Sequence, residues 1–176
     1  MQNFDIAPAR ASDLEEIVAL VNSAYRGDSS RAGWTTEADL LDGQRVDQGM
    51  LRDGMSAGQV ILCLRQGPGL PVQACVTLEP VDSDCWYLGM LTVAPDLQAG
   101  GIGRCLLEGA ERYARERGAR RMRLNVIHSR AELIAWYERR GYRRTGETAP
   151  FPYGEPRFGI PRRSDLFFVY LEKALA

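Results

Sequence analysis

The sequence predicts an α/β fold of the mixed, α+β type, with one mixed sheet and helices packed on it. Three observations carry that expectation. Strand-like alternation and 3.6-residue apolar periodicity follow one another as strand, two helices, three strands, helix, strand, helix, two strands. A glycine-rich turn, Gly100-Gly101-Ile102-Gly103, joins one of those strands directly to a helix. The 176 residues, 45% hydrophobic and 26% charged, suffice for one sizeable core, so residues 1–176 are expected to form a single domain.

The elements follow in order. Phe4-Asp5-Ile6-Ala7 alternates and reads as the first strand. Ser12 with Glu15 makes a capping box for a helix whose apolar face is Leu14, Ile17, Val18, Val21 and Tyr25. Arg26 to Gly33 is a polar loop. Thr35 or Thr36 caps a second helix carrying Leu40, Leu41 and Val46, with Gly43 and Gly49 limiting its length. Val60 to Leu64 and Val72 to Leu78 flank the turn Gly67-Pro68-Gly69 and form a hairpin, and Trp86 to Val93 is a further strand.

After the glycine turn, Ile102, Leu106, Ala110 and Tyr113 mark one face of a helix from about Gly101 to about Arg117, with Gly118 at its C′ position. Arg121 to Val126 alternates strictly, as a half-buried strand does. A helix from about Arg130 to about Arg140 stops at Gly141, and two strands remain, around Tyr142 to Glu147 and Leu166 to Leu171. The Pro-rich stretch between them, Pro150 to Pro161, is too long for a plain hairpin loop and marks a binding element.

Composition excludes several classes. A net charge of −1 argues against a general nucleic-acid binder. The run Arg112, Arg115, Arg117, Arg120, Arg121, Arg123 lacks interleaved aromatics for base stacking and is diluted by Glu108, Glu111 and Glu116, so it reads as a solvated face. The four cysteines, Cys63, Cys75, Cys85 and Cys105, show no Cys-x-x-Cys spacing and sit in apolar patterns, as reduced core residues. No metal is expected. Met1-Gln2-Asn3-Phe4-Asp5 lacks the basic start and long apolar run of a signal peptide, and no stretch has the length of a membrane span, so a cytoplasmic protein without a membrane partner is expected.

The chemistry begins at the glycine turn. Without a Cβ, glycine lets a ligand approach the backbone closely. The helix start adds unpaired N–H groups and the positive end of its dipole, which suit a phosphate or pyrophosphate. A phosphate-bearing cofactor is therefore expected against Gln98, Ala99, Gly100, Gly101, Ile102, Gly103 and Arg104. It is not held by a P-loop, because no Lys stands near these glycines. A dinucleotide fingerprint fails too, since Leu106 occupies the third small position. The pattern Gln98-x-x-Gly101-x-Gly103 instead resembles the acetyl-CoA signature of the GNAT N-acetyltransferase superfamily. Tyr137-Glu138-Arg139-Arg140-Gly141-Tyr142 is similar to that superfamily's Tyr-x-x-x-Gly-(Phe or Tyr) element. The two stand in the expected order.

The resemblance covers nearly the whole chain. It implies a central, mostly antiparallel sheet of about seven strands, splayed between the fourth and fifth and flanked by about four helices. Acetyl-CoA, as cosubstrate, enters that splay. The backbone of Leu91, Thr92 and Val93 pairs with its pantetheine arm as an added strand would. The amides from Gln98 to Arg104 and the Arg104 side chain take the diphosphate, and one or two arginines of the basic run lie near the 3′-phosphate. Tyr137 is the implied general acid, protonating the thiolate expelled as the tetrahedral intermediate collapses. Its competing reading is an amphipathic core tyrosine beside Trp136 and Leu133. Where the family often places an Asn, seven residues before the tyrosine, this chain has Arg130.

The base that neutralises the attacking amine stays open among Glu79, Asp84, His128 and water. A lone His at a strand end is more often a polar loop residue. The acceptor site is expected from Arg31-Ala32-Gly33-Trp34-Thr35-Thr36-Glu37 on one side and Phe151, Tyr153, Arg157 and Phe158 on the other, while Asp42 and Arg45 read as an i,i+3 ion pair. The leading function is acetyl transfer to a primary amine of a small molecule, directly in a ternary complex. A protein N-terminus or lysine as acceptor, and a non-catalytic acyl-CoA sensor, stay open. A homodimer through the C-terminal strand, common in relatives, stays open too.

Overall fold

A computed structural model describes residues 3–175; Met1 and Gln2, part of the start read as leader-free, lie outside the described residues. One sheet is built from β1 (Asp5–Pro8), β2 (Val60–Arg65), β3 (Ala74–Pro80), β4 (Cys85–Val93), β5 (Arg121–Ile127), β6 (Arg143–Pro150) and β7 (Phe167–Ala174), in the order β1-β2-β3-β4-β5-β7-β6. Neighbours run antiparallel except β4 and β5. The helices are α1 (Leu14–Tyr25), α2 (Gln48–Ser56), α3 (Ile102–Arg115) and α4 (Ala131–Glu138). Strands β4 and β5 are parallel because α3 makes the crossover between them. This is the mixed α/β arrangement expected from the sequence.

The splay has a backbone cause. Parallel pairing joins Cys85–Tyr87 only to Arg121–Arg123 and then stops. Beyond it, β4 carries one extra residue opposite β3: Cys75 faces Thr92 while Thr77 faces Gly89, and Met90 adopts φ 54°. Such a bulge bends its strand. Meanwhile β5 stays paired with β7 from Arg121 to Ile127. The two strands diverge between β4's Leu88–Val93 and β5's Leu124–Ile127.

Both faces of the sheet are covered. Leu62, Leu64, Val76 and Leu78 pack with Leu106, Leu107 and Ala110 of α3. On the other face Ile61, Cys63 and Cys75 pack with Leu14, Ile17, Val21 and Tyr25 of α1 and Leu51 of α2. Double-sided burial explains the unbroken apolar run of β2. Cys63, Cys75 and Cys85 are buried free thiols, and burial pushes the Cys63 thiol up to about 12. Among the described residues no helix is long and apolar enough to cross a membrane.

Three local expectations are corrected. A 3₁₀ turn, Ala11–Asp13, precedes α1, and the Asp13 carboxylate accepts from the Arg10 N–H (2.8 Å), so the Ser12–Glu15 box does not start the helix. The second helix starts at Gln48, where Asp47 caps the Met50 N–H (2.8 Å). Thr36 instead accepts from the Ala38 N–H (3.1 Å) in a local turn. Leu41–Asp42 forms a two-residue strand against Ile160–Pro161 inside the Pro-rich stretch, with Gly43 at φ 77° turning the chain away.

Candidate active site

The turn after β4 is shaped for an anion. Pro95–Leu97 forms a 3₁₀ turn, Ala99 lies at φ 67° and Gly101 at φ 84°, and no side chain caps the start of α3. Consecutive amides in such a turn make a concave nest, and the helix dipole adds positive potential. A Cβ on Gly103 would make ordinary contact with the Val93 side chain (3.4 Å) and Trp136 (3.6 Å), at the edge of the cavity described next. The Arg104 guanidinium pairs with Glu108 (2.9 Å) at the surface and also borders the cavity below.

Two cavities meet at the splay. The larger, about 600 Å³, lies between the glycine turn and α4 and is walled by Trp34, Gln98, Gly101, Gly103 and Trp136 among others. The smaller, about 310 Å³, lies on the other side, between β4 and β5 beneath α1 and α2. Leu91, Leu133 and Tyr137 border both. Two cavities that share a wall at one phenol have the arrangement a direct group transfer requires.

Seven of the ten residues expected to hold the cofactor border the larger cavity: Leu91, Val93, Gln98, Ala99, Gly101, Gly103 and Arg104. Thr92, Gly100 and Ile102 do not. Thr92 is buried opposite Cys75 of β3, with its hydroxyl donating to the Met90 carbonyl (2.9 Å). Ile102 turns into the core, and Gly100 is exposed. The carbonyls along the splay already have partners: Tyr25 Oη donates to Leu91 O, and Gln98 Nε2 donates to Val93 O (3.0 Å). The arginines bordering this cavity are Arg104, Arg139 and Arg140, with Arg140 stacked 3.8 Å over Trp136. None of the basic run from Arg112 to Arg123 lines it. Arg121 and Arg123 pair with Glu172, and Arg117, just past α3, stacks on Tyr113.

Tyr137, on α4, is 5% exposed and packs edge-on against Trp136 (5.0 Å) and Tyr142 (5.5 Å). Among the described residues nothing hydrogen-bonds its hydroxyl. Burial raises its pKa well above the ordinary phenol value, so it holds its proton through neutral pH. A protonated, unpartnered hydroxyl at the seam of two cavities can donate to a leaving group.

A charge network lies beside it that the sequence pattern did not show. The buried Glu37 carboxylate receives Arg26 on Oε1 (2.5 Å) and Arg130 on Oε2 (3.1 Å), and Arg130 also donates to the Thr35 carbonyl (2.5 Å). Burial alone would raise the Glu37 carboxyl. The guanidiniums of Arg130, Arg26 and Arg45 outweigh it and hold the group below the usual range. Arg130 thus braces the loop before the first two-residue strand and does not reach the glycine turn. Glu37, Arg130, Tyr25 and Arg45 all border the smaller cavity. Glu37 and Arg130 are 93 positions apart, so no local periodicity joins them.

Other candidates fall elsewhere. Glu79, Asp84 and His128 line neither cavity: Asp84 pairs with Arg121 (3.3 Å), and His128 stacks on Phe167 (4.0 Å) with Asp165 at 3.9 Å. Of the first loop, Arg31 pairs outward with Asp39 (2.9 Å), while Trp34 and Thr35 border the larger cavity. Phe151, Tyr153, Arg157 and Phe158 do not close over either cavity. Phe151 is buried against Phe168, Tyr153 is bonded to the Leu166 N–H (2.8 Å), and Arg157 reaches Asp47 (3.6 Å). Phe158 contributes its carbonyl to Arg26 (3.3 Å). Asp42 reaches Arg162 (3.9 Å), so it forms no helical pair with Arg45.

The fold and the motif are both known from other proteins. No curated protein matches the sequence. Among solved structures, ribosomal-protein-alanine N-acetyltransferase from Brucella melitensis is 22% identical with a TM-score of 0.68, over 97% of this chain and 99% of that one. IAA acetyltransferase from Bacillus cereus is 17% identical with a TM-score of 0.68, over 98% and 100%. A GNAT family acetyltransferase from Elizabethkingia anophelis, with acetyl-CoA bound, is 17% identical with a TM-score of 0.66, over 99% and 100%. These likenesses concern the fold. Residues 57–142, which include β4, the glycine turn, α3 and Tyr137, match the acetyltransferase (GNAT) family. That segment is an acetyltransferase (GNAT) family domain, and it supports an acyl-CoA-dependent N-acyltransferase.

Proposed function

We propose that this protein moves an acetyl group from acetyl-CoA to a primary amine of a small-molecule acceptor, with both substrates bound at once. The observation that carries the reading is the wall shared by the two cavities, Leu91, Leu133 and Tyr137. The thioester supplies an acyl carbon already activated for attack. The open amides of the glycine turn and the Arg104, Arg139 and Arg140 guanidiniums fit the anionic end of that cosubstrate. A ligand amide at Val93 would replace the Gln98 amide, exchanging one hydrogen bond for another. Tyr137 then gives its proton to the departing sulfur. Neither Glu79, Asp84 nor His128 borders the smaller cavity, which supports loss of the amine proton to water.

A volume of about 310 Å³ suits a compact acceptor. The reading takes residues 1–176 as one domain acting in the cytoplasm. It is tested by measuring thiol release from acetyl-CoA by the purified protein with a panel of small amines and N-terminal peptides. Amine-dependent release is expected. Coenzyme A binding without amine-stimulated release would make the protein a sensor, and release with peptides alone would make the acceptor a protein.

A further inference from the structure

We infer that the acceptor carries a carboxylate beside its amine and that Arg45 is the residue that selects it; the inference rests on the acetyltransferase reading above. Arg45 borders the smaller cavity, with Cζ 5.9 Å from the ring centroid of Tyr25. The Tyr25 hydroxyl in turn bonds Leu91 O, at the wall shared with the larger cavity. Arg45 therefore enters the cavity beside Tyr25, the residue that ties it to the shared wall.

Charge decides the sign of the ligand. The carboxylate among the cavity's lining residues is Glu37, and both of its oxygens are already taken, by Arg26 and Arg130. Among the described residues the Arg45 guanidinium makes no ion pair and no side-chain hydrogen bond. Asp47, two positions on, is engaged by Met50, Gln44 and Arg157. Three guanidiniums thus face one carboxylate, and the unpaired one is Arg45. A half-buried cation left without a partner is costly, and a ligand carboxylate would supply a bidentate one. The remaining wall is mixed: Met50, Leu88, Val126 and Phe168 offer an apolar surface to the acceptor's body, beside the polar Gln59, Thr77 and Asn125.

The test compares α-, β- and γ-amino acids of apolar side chain with their amides and decarboxylated amines, under saturating acetyl-CoA, by thiol release. The acids should exceed their amides roughly ten- to a hundredfold in kcat/KM, the value of a charge-assisted contact. In Arg45→Gln this ratio should collapse toward one, and Arg45→Lys should restore part of it, while coenzyme A affinity measured by calorimetry is unchanged. Acetylation of acids and amides with equal efficiency, or an unaltered ratio in Arg45→Gln, overturns the inference and leaves the acetyltransferase reading standing. Absence of release with every amine overturns both.

Discussion

Thr35 and Gln98, 63 positions apart, exchange two hydrogen bonds: the Thr35 N–H donates to Gln98 Oε1 (3.1 Å), and Gln98 Nε2 donates to Thr35 Oγ1 (2.7 Å). The same Nε2 also reaches Val93 O. One amide therefore fastens the loop bearing Trp34 and Glu37 to the turn that begins α3, so each cavity's wall depends on the other's. Gln98→Ala should raise KM for both acetyl-CoA and the amine, and lower stability by about 1–3 kcal/mol from the lost bonds. A Cβ on Gly33 would meet the same amide at 2.4 Å. Gly33→Ala should displace it and reproduce the double KM effect, whereas an effect on one substrate alone would uncouple the two walls.

In the proposed function the Tyr137 hydroxyl carries the proton transfer. Tyr137→Phe keeps the ring that packs on Trp136 and Tyr142, so coenzyme A affinity and Tm should stay near wild type while kcat falls roughly a hundredfold. Because burial raises this phenol, its protonated form persists as pH rises. Single-turnover rates should therefore show no decline from tyrosine ionisation between about pH 7 and pH 10. A wild-type rate in Tyr137→Phe would remove the hydroxyl from the reaction.

Glu37→Gln should be severely destabilising. It leaves the Arg26 and Arg130 guanidiniums facing a neutral amide in a buried site, a change worth about 3–5 kcal/mol. The folded carboxyl lies below its ordinary value of 4.5, so its contribution is complete above that value and is lost as pH falls through the folded value. Urea titrations from pH 7 down to pH 3 should show this loss in the wild type and a flatter profile in the variant.

The two glycines of the turn should answer differently to substitution. Gly101 has open space around its Cβ direction but φ 84°, so Gly101→Ala should cost about 1–2 kcal/mol of stability through backbone strain. Gly103 has ordinary helical geometry but borders the larger cavity, so Gly103→Leu should abolish coenzyme A binding by calorimetry with the fold kept.

Regularity of pattern decided what could be read in advance. The buried run Val60–Leu64, the alternation of Arg121 to Val126, the face of α3 and the glycine turn each follow from a period or a backbone need, and the described structure contains all four. The region from Thr35 to Asp47 misled because two good caps compete there. Thr36 is spent on a local turn, and Asp47 starts the helix. Leu41 is buried with Ile127, Phe151 and Leu166, elements far away in sequence, so its apolar character reports tertiary packing and not a helical face. The Arg26–Glu37–Arg130 network and the open guanidinium of Arg45 share this origin. Ion pairs between distant segments leave no local signature. Nor does the bulge at Met90, an unbranched residue with no bias toward a left-handed backbone.

That bulge fixes when the slot in the sheet comes into being. Met90's left-handed dihedral belongs to the misfit of β4 against β3, a cause internal to the sheet. Closing β4 onto β5 beyond Tyr87 would require undoing that misfit, so capture of acetyl-CoA should be limited by diffusion and by the Trp34 loop, with no slow strand-parting phase at high concentration.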